Sequence, residues 1–154
     1  MNLDKLYLRL NKFAYQFTIM FEHQIKFRVL YSDTDKMGYM YYGQYAKYLE
    51  MGRVEALRSL GLSYKSMEDS GVMMPVLELN TKYIKPLFYD DEITLVTKVV
   101  KMPDTRIYFK YELLNPPGKL ATVAETTLVF VDCSTGKPCL IPANFKSKIE
   151  TYFQ

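Results

Sequence analysis

The chain has 154 residues, 49% of them hydrophobic and 24% charged, which is the size and balance of one globular domain with a sizeable core. Its formal charge of +3 comes from 20 basic and 17 acidic side chains scattered along the sequence, without the dense Lys/Arg block of a polyanion-binding arm, so nucleic acid is not an expected partner. No apolar run reaches the ~18 residues of a membrane span, the N-terminus lacks a signal peptide's apolar centre, and Cys133 and Cys139 match neither a redox pair nor a zinc knuckle; a soluble cytoplasmic protein with reduced thiols is expected.

Residues 1–19 read as a weakly amphipathic basic helix ahead of a clean strand pattern. The expected organisation is therefore an N-terminal extension, 1–20, and a single domain, 21–154. Because Met20 could itself initiate the chain, residues 1–19 are expected to be dispensable for activity. From Phe21 to Tyr31 apolar and polar residues alternate strictly, the mark of a half-buried strand. Its apolar face carries His23, the chain's one histidine, which reads as a satisfied core or edge residue. The segment SDTDKMG (32–38) is rich in turn formers and takes the chain out of the strand.

Between Gly43 and Leu60, apolar residues recur every three or four positions and Gly61 supplies a stop, so one long helix is predicted over 43–60. Gly52 lies on its apolar stripe and costs of order 1 kcal/mol in helix propensity relative to Ala, so it either lets a sheet approach closely or is a tolerated defect. After a short polar link, strands are predicted at 72–84, 91–101, 106–114 and 119–132, separated by turns. Fourteen Tyr and nine Phe with no Trp suit such a sheet-rich chain. The order strand, helix, four strands predicts an α+β domain in which a largely antiparallel sheet of about five strands folds around one helix.

Several catalytic arrangements are missing: there is no GxSxG elbow, no phosphate-binding glycine loop, and no second histidine for a metal site or a nucleophile–imidazole pair. What remains is YSDTDKMGYMYYGQYAKYLEMGR (31–53), which places Asp33 and Asp35 in the turn before the long helix. The first turn of a helix has unpaired N–H groups and partial positive charge, so it can polarise a carbonyl. A carboxylate beside it can activate water or attack directly. Aspartates before a helix are, on physics alone, more often capping or turn residues. Asp33 is expected to be mainly that, with Asp33→Asn costing stability more than chemistry. Glu50 and Arg53, at i and i+3, read as a surface ion pair.

The 31–53 block resembles the signature of the 4-hydroxybenzoyl-CoA thioesterase family, in the branch of short bacterial acyl-CoA thioester hydrolases associated with Tol-Pal genes. The likeness continues through MMPVLELNTKYIKPLFYDDEI (73–93) and AETTLVFVDCSTGKPCLIPANF (124–145), so it spans roughly residues 21–145. It implies a hotdog fold, hydrolysis of acyl-CoA esters without cofactor or metal, and a homodimer or homotetramer with active sites between subunits. It also implies that Asp35 is the catalytic carboxylate, that the carbonyl-polarising amide falls at Tyr42, and that Gly38 allows the tight passage between them. Many members of the branch carry His at the position of Tyr42 and Ser or Thr at that of Arg106. Met73 to Val76, including Pro75 and Val76, together with Tyr83, are candidates to shape the acyl and pantetheine groove, although a simple core role is the commoner one for Met73, Met74 and Val76. Lys101 and Arg106 flank a turn and are candidate contacts for CoA phosphates, although solvated turn charge is the commoner role of such residues. The alternatives are an acyl carrier protein thioesterase and a non-enzymatic acyl-CoA-binding module.

Overall fold

The computed structural model describes residues 20–154; the extension expected over 1–19 lies outside the described residues. The alternating segment after Met20 forms β1 (Phe21–Arg28), and the long helix α1 spans Tyr45–Ser59. There follow a short helix α2 (Tyr64–Asp69), β2 (Val72–Met73), β3 (Val76–Tyr83), β4 (Glu92–Val99), β5 (Arg106–Asn115), β6 (Lys119–Val129), β7 (Val131–Asp132) and a C-terminal helix α3 (Ala143–Ile149). Five strands make one sheet in the order β1-β4-β5-β6-β3, every pairing antiparallel. β2 and β7 form a small separate ladder. An antiparallel five-stranded sheet with one long helix against it is the expected hotdog arrangement.

The predicted elements differ from these at points with a local cause. The strand predicted over 72–84 is broken at Met74 and Pro75, and a register shift follows between Val76 and Glu78. Proline cannot donate to a ladder, so the break falls where the sequence places one. The strand predicted over 119–132 is interrupted at Phe130, whose buried ring packs edge-on against Phe145 of α3, with ring centroids 5.7 Å apart. The polar link contains α2, capped by the Ser63 hydroxyl, which accepts the Ser66 N–H at 3.0 Å. The first turn of the predicted 43–60 helix is a 3-10 turn, Tyr42–Gln44.

α1 packs on β1 and β4 through Tyr45, Tyr48, Leu49, Gly52, Ala56 and Leu57. The Tyr48 ring stacks on Phe27 at 3.9 Å. Gly52 is where helix and sheet come closest: a Cβ there would lie 2.6 Å from Thr97 Oγ1 and 2.8 Å from Leu95 Cδ2. Gly52→Ala is therefore expected to destabilise, because overpacking of about 1–3 kcal/mol outweighs the ~1 kcal/mol gained in helix propensity. A lower urea midpoint at unchanged m-value would show it; an alanine variant more stable than the parent would mean that close approach is not why glycine is there.

Arg53 is not the surface partner of Glu50 that its spacing predicts. Its guanidinium is buried between α1 and the sheet, donating to the Tyr111 hydroxyl at 3.2 Å and to the Tyr64 hydroxyl at 3.4 Å. Tyr111 also bonds Thr126 Oγ1 at 2.8 Å, and burial pushes its phenol up to about 12, so it stays neutral. Phenols, rather than a carboxylate, solvate this charge among the described residues.

Candidate active site

After β1 the chain makes a 3-10 turn, Tyr31–Asp33, and then a tight hairpin that turns at Asp35–Gly38. The Gly38 N–H donates to the Asp35 carbonyl at 2.9 Å, and Gly38 sits at φ +83°, a conformation glycine adopts without steric cost. Thr34 bridges Met40, the Asp35 N–H donates to the Tyr39 carbonyl at 3.2 Å, and the Tyr41 N–H donates to the Asp33 carbonyl at 2.8 Å. The hairpin therefore returns the chain directly to the start of α1. Asp35 Oδ1 accepts the Met37 N–H at 2.7 Å, while Oδ2 has no partner among the described residues.

Asp35 opens onto a cleft of about 450 Å³ between this hairpin, the helix start and the end of β3. Met37, Tyr39, Met40, Tyr42 and Tyr45 line one side, and Tyr83, Ile84, Lys85 and Pro86 the other. The Tyr45 and Tyr83 rings meet edge to face at 4.8 Å, and burial raises the Tyr45 phenol above its ordinary value. At the helix start, the amides of Tyr42 and Gly43 precede the first intrahelical donor, Gln44, and have no backbone acceptor among the described residues. Tyr41 lies against Tyr42 with centroids 4.6 Å apart. Its ring fills the space a side chain at Gly43 would need, and its contact with Tyr42 raises its phenol. The arrangement is chemically simple: a carboxylate with one free oxygen, unpaired N–H groups at a helix start, and an aromatic-lined recess. Among the described residues, no three His, Cys, Asp or Glu side chains converge as a metal site.

Of the residues singled out from the sequence, Asp35, Tyr42 and Tyr83 line the cleft, and Gly38 shapes the hairpin that presents Asp35. Pro75, Val76, Lys101 and Arg106 do not join them within one chain. The strand registers place Arg28, Glu92 and Tyr83 at the Asp35 end of the sheet and Val76, Val99 and Arg106 at the other, roughly 25 Å away for eight-residue strands. Lys101 Nζ sits 3.9 Å over the Tyr108 ring, and the Arg106 N–H is held by the Asp104 carboxylate at 3.1 Å. His23 is half-buried on β1 opposite Thr97, far from the cleft. Both cysteines are free thiols.

Sequence reasoning missed Tyr45 and Lys85 as cleft residues, and it undersold Asp33. Only 1% exposed, Asp33 accepts from the Leu30 N–H at 2.9 Å, from Lys47 Nζ at 2.7 Å and from the Tyr48 hydroxyl. Burial by itself pushes this carboxyl up, but Lys47, Tyr48 and the Leu30 amide together outweigh burial and hold it below its ordinary 3.8. A carboxyl lowered on folding stabilises fully above its ordinary value, and the contribution is lost as pH falls through the lower, folded-state value. Asp33→Asn is expected to remove that part of the acid dependence. Parent and variant should then converge in urea stability at about pH 3 relative to about pH 7; a gap that does not narrow would contradict the assignment.

A model of the thioesterase-like superfamily matches residues 29–149. The Bacillus subtilis protein YneP, named as a candidate acyl-CoA thioesterase, is 34% identical over 110 residues, 71% of this chain and 80% of that one. The acyl-CoA thioester hydrolase YbgC of Escherichia coli is 28% identical over 123 residues, 80% of this chain and 92% of its own length. Among solved structures, a DHNA-CoA thioesterase from Staphylococcus aureus superposes with a TM-score of 0.74 at 37% identity, covering 77% of this chain and 80% of that one.

Proposed function

The chain belongs to the thioesterase-like superfamily, and from that membership together with the cleft we propose that it hydrolyses acyl-CoA esters to the free acid and CoA. The observation that carries the reading is the placement of Asp35, with one oxygen tied to Met37 and the other free, on the cleft that also receives the start of α1. The thioester carbonyl oxygen points at the Tyr42 and Gly43 amides, and the acyl group lies between Tyr45 and Tyr83. Asp35 takes a proton from water as the water oxygen attacks the carbonyl carbon. The amides hold the oxyanion, donors of this kind being worth about 3 kcal/mol each. The C–S bond then breaks, and the CoA thiolate takes up the proton that Asp35 holds. The Tyr42 side chain frames the cleft mouth, and the backbone N–H carries the role, so the Tyr that stands where the resemblance implies a frequent His is no obstacle.

The working unit in this reading is a homodimer. Among the described residues β3 ends the sheet with its outer edge unpaired, and Val76, Leu77, Leu79 and Tyr83 along it are large apolar side chains about half exposed. A second copy pairing antiparallel across this edge covers them. It also brings the start of one β3 beside the end of the other, so the partner's Pro75 and Val76 reach the neighbourhood of Tyr83 and its cleft. That places the groove residues expected from the sequence at one site, which a single chain does not do. Lys85 on the cleft is a nearer candidate for CoA phosphates than Lys101, whose ammonium is taken up by Tyr108. An acyl-CoA substrate and two free thiols favour a cytoplasmic setting.

Incubating the protein with a panel of aliphatic and aromatic acyl-CoA esters, with released thiol as the readout, tests the reading. Turnover of at least one ester well above the Asp35→Asn background is the expected result. Binding without thiol release across the panel would instead identify an acyl-CoA-binding module.

A further inference from the structure

We propose that Asp33 is the positioning residue for Asp35: it fastens the catalytic hairpin to the helix that supplies the oxyanion donors, so that the two halves of the site move as one body. This rests on the thioesterase reading above for its kinetic consequence and on geometry for the rest. A residue that only closes a turn needs one acceptor contact, and Asp33 has that in the Leu30 N–H at 2.9 Å. Its carboxylate also reaches out of the turn to α1, where Lys47 donates at 2.7 Å and Tyr48 donates its hydroxyl. Its own carbonyl accepts the Tyr41 N–H at 2.8 Å, which closes the other end of the hairpin. Asp33 thus holds Leu30 at the start of the turn that leads into the hairpin, Tyr41 at the hairpin's end and the first full turn of α1.

The surroundings explain why a buried carboxylate is placed here. The stretch around Asp35 is otherwise exposed: Tyr31, in the turn before the hairpin, is 78% and Met37 65% accessible, and the core takes up the hairpin only on its returning arm, at Met40, 2% exposed. The apolar anchor lies one step away, where the Tyr48 ring stacks on Phe27 and the Met40 N–H donates to the Leu87 carbonyl at 2.8 Å. Polar contacts through Asp33 transmit that anchorage to the loop. Displacement of a reacting group by about 1 Å costs up to 10²-fold in rate. A loose Asp33 would therefore show in kcat rather than in substrate affinity.

Tyr48→Phe keeps the stacked ring and removes one donor, Lys47→Met removes the ion pair, and Lys47→Arg restores a cation. Steady-state kinetics at a temperature where each variant is folded should show kcat lowered about tenfold in Tyr48→Phe and Lys47→Met with KM within about twofold, and much of the loss recovered in Lys47→Arg. Amide hydrogen exchange at Asp35, Gly38 and Tyr41 should quicken in the first two variants relative to Val96 and Leu113 in the sheet. Unchanged kcat and unchanged hairpin exchange, with only a lower unfolding midpoint, would overturn the proposal and leave Asp33 a capping residue. The exchange measurement stands whether or not the parent turns over acyl-CoA. Quickened hairpin exchange in a parent without turnover would retain the fastening role and reject the hydrolase reading.

Discussion

Asp35→Asn is expected to lower kcat at least ~10²-fold while acyl-CoA binding and the unfolding midpoint stay close to those of the parent. Asparagine preserves the shape and can still accept the Met37 N–H that fixes Asp35 Oδ1. It cannot take a proton from water through the remaining position, which becomes an amide N–H donor. The cleft, its tyrosines and the helix-start amides are untouched, so substrate should bind and remain intact. Thiol release under saturating acyl-CoA, with affinity measured separately by titration calorimetry, checks both halves. An asparagine variant with parental turnover would remove Asp35 from the chemistry. Parental affinity lost along with turnover would mean that the carboxylate holds the substrate rather than activating water.

The second large effect is expected at Leu79, on the unpaired edge. Leu79 faces the helix side of β3 opposite Thr126, and 47% of it is exposed because none of the described residues pairs beyond that edge. Leu79→Lys places a charge where the second copy would pack, a device edge strands use to block further pairing. Sedimentation should shift from twice the 18.1 kDa chain mass to the chain mass itself, and turnover should fall at least about tenfold as the partner's residues leave the groove. A variant that stays dimeric would show that this edge is not the interface. A monomer with full turnover would show that one chain holds the complete site.

The architecture was legible from the sequence because its signals are local. Alternation read from Phe21 to Tyr31, of which the strand uses Phe21–Arg28, three- and four-residue spacing between Gly43 and Leu60, and the turn before the helix each follow from neighbours in the chain. The close approach at Gly52 was legible for the same reason: an unfavourable residue on an apolar stripe calls for a steric cause. The short helices were not. α2 and α3 span six and seven residues, too few for a periodic signal, and α2 shows itself only through the Ser63 cap.

Within the site, Asp35, Tyr42 and Tyr83 could be named because the blocks that carry them bear the family resemblance; spacing alone left Asp35 a capping or turn residue. Asp33 could not be separated from a capping aspartate, since its meaning depends on side chains 14 and 15 residues further on. Arg53 was misread as a surface partner of Glu50 because spacing gives proximity without direction. Only the fold turns its guanidinium toward Tyr111, 58 residues away. Lys85 carried no signal of its own until the end of β3 was seen to close the cleft.

The two walls of the cleft come from segments about forty positions apart, one holding Asp35 and the helix start, the other running from Tyr83 to Pro86. The first would carry the bond breaking in the proposed reaction, and its parts are bonded to one another. The second would meet the substrate in the proposed reaction and is tied to the sheet chiefly by the Ala121 carbonyl, which accepts the Ile84 and Lys85 N–H groups at 2.8 and 2.9 Å. Selection can therefore act on the two walls separately. On the proposed reading, exchanging the side chain at Ile84 is expected to change which acyl groups fit, and at Lys85 how CoA is held, without disturbing the reaction that cleaves them, so a lineage carrying this scaffold can diversify its diet by rewriting a four-residue stretch.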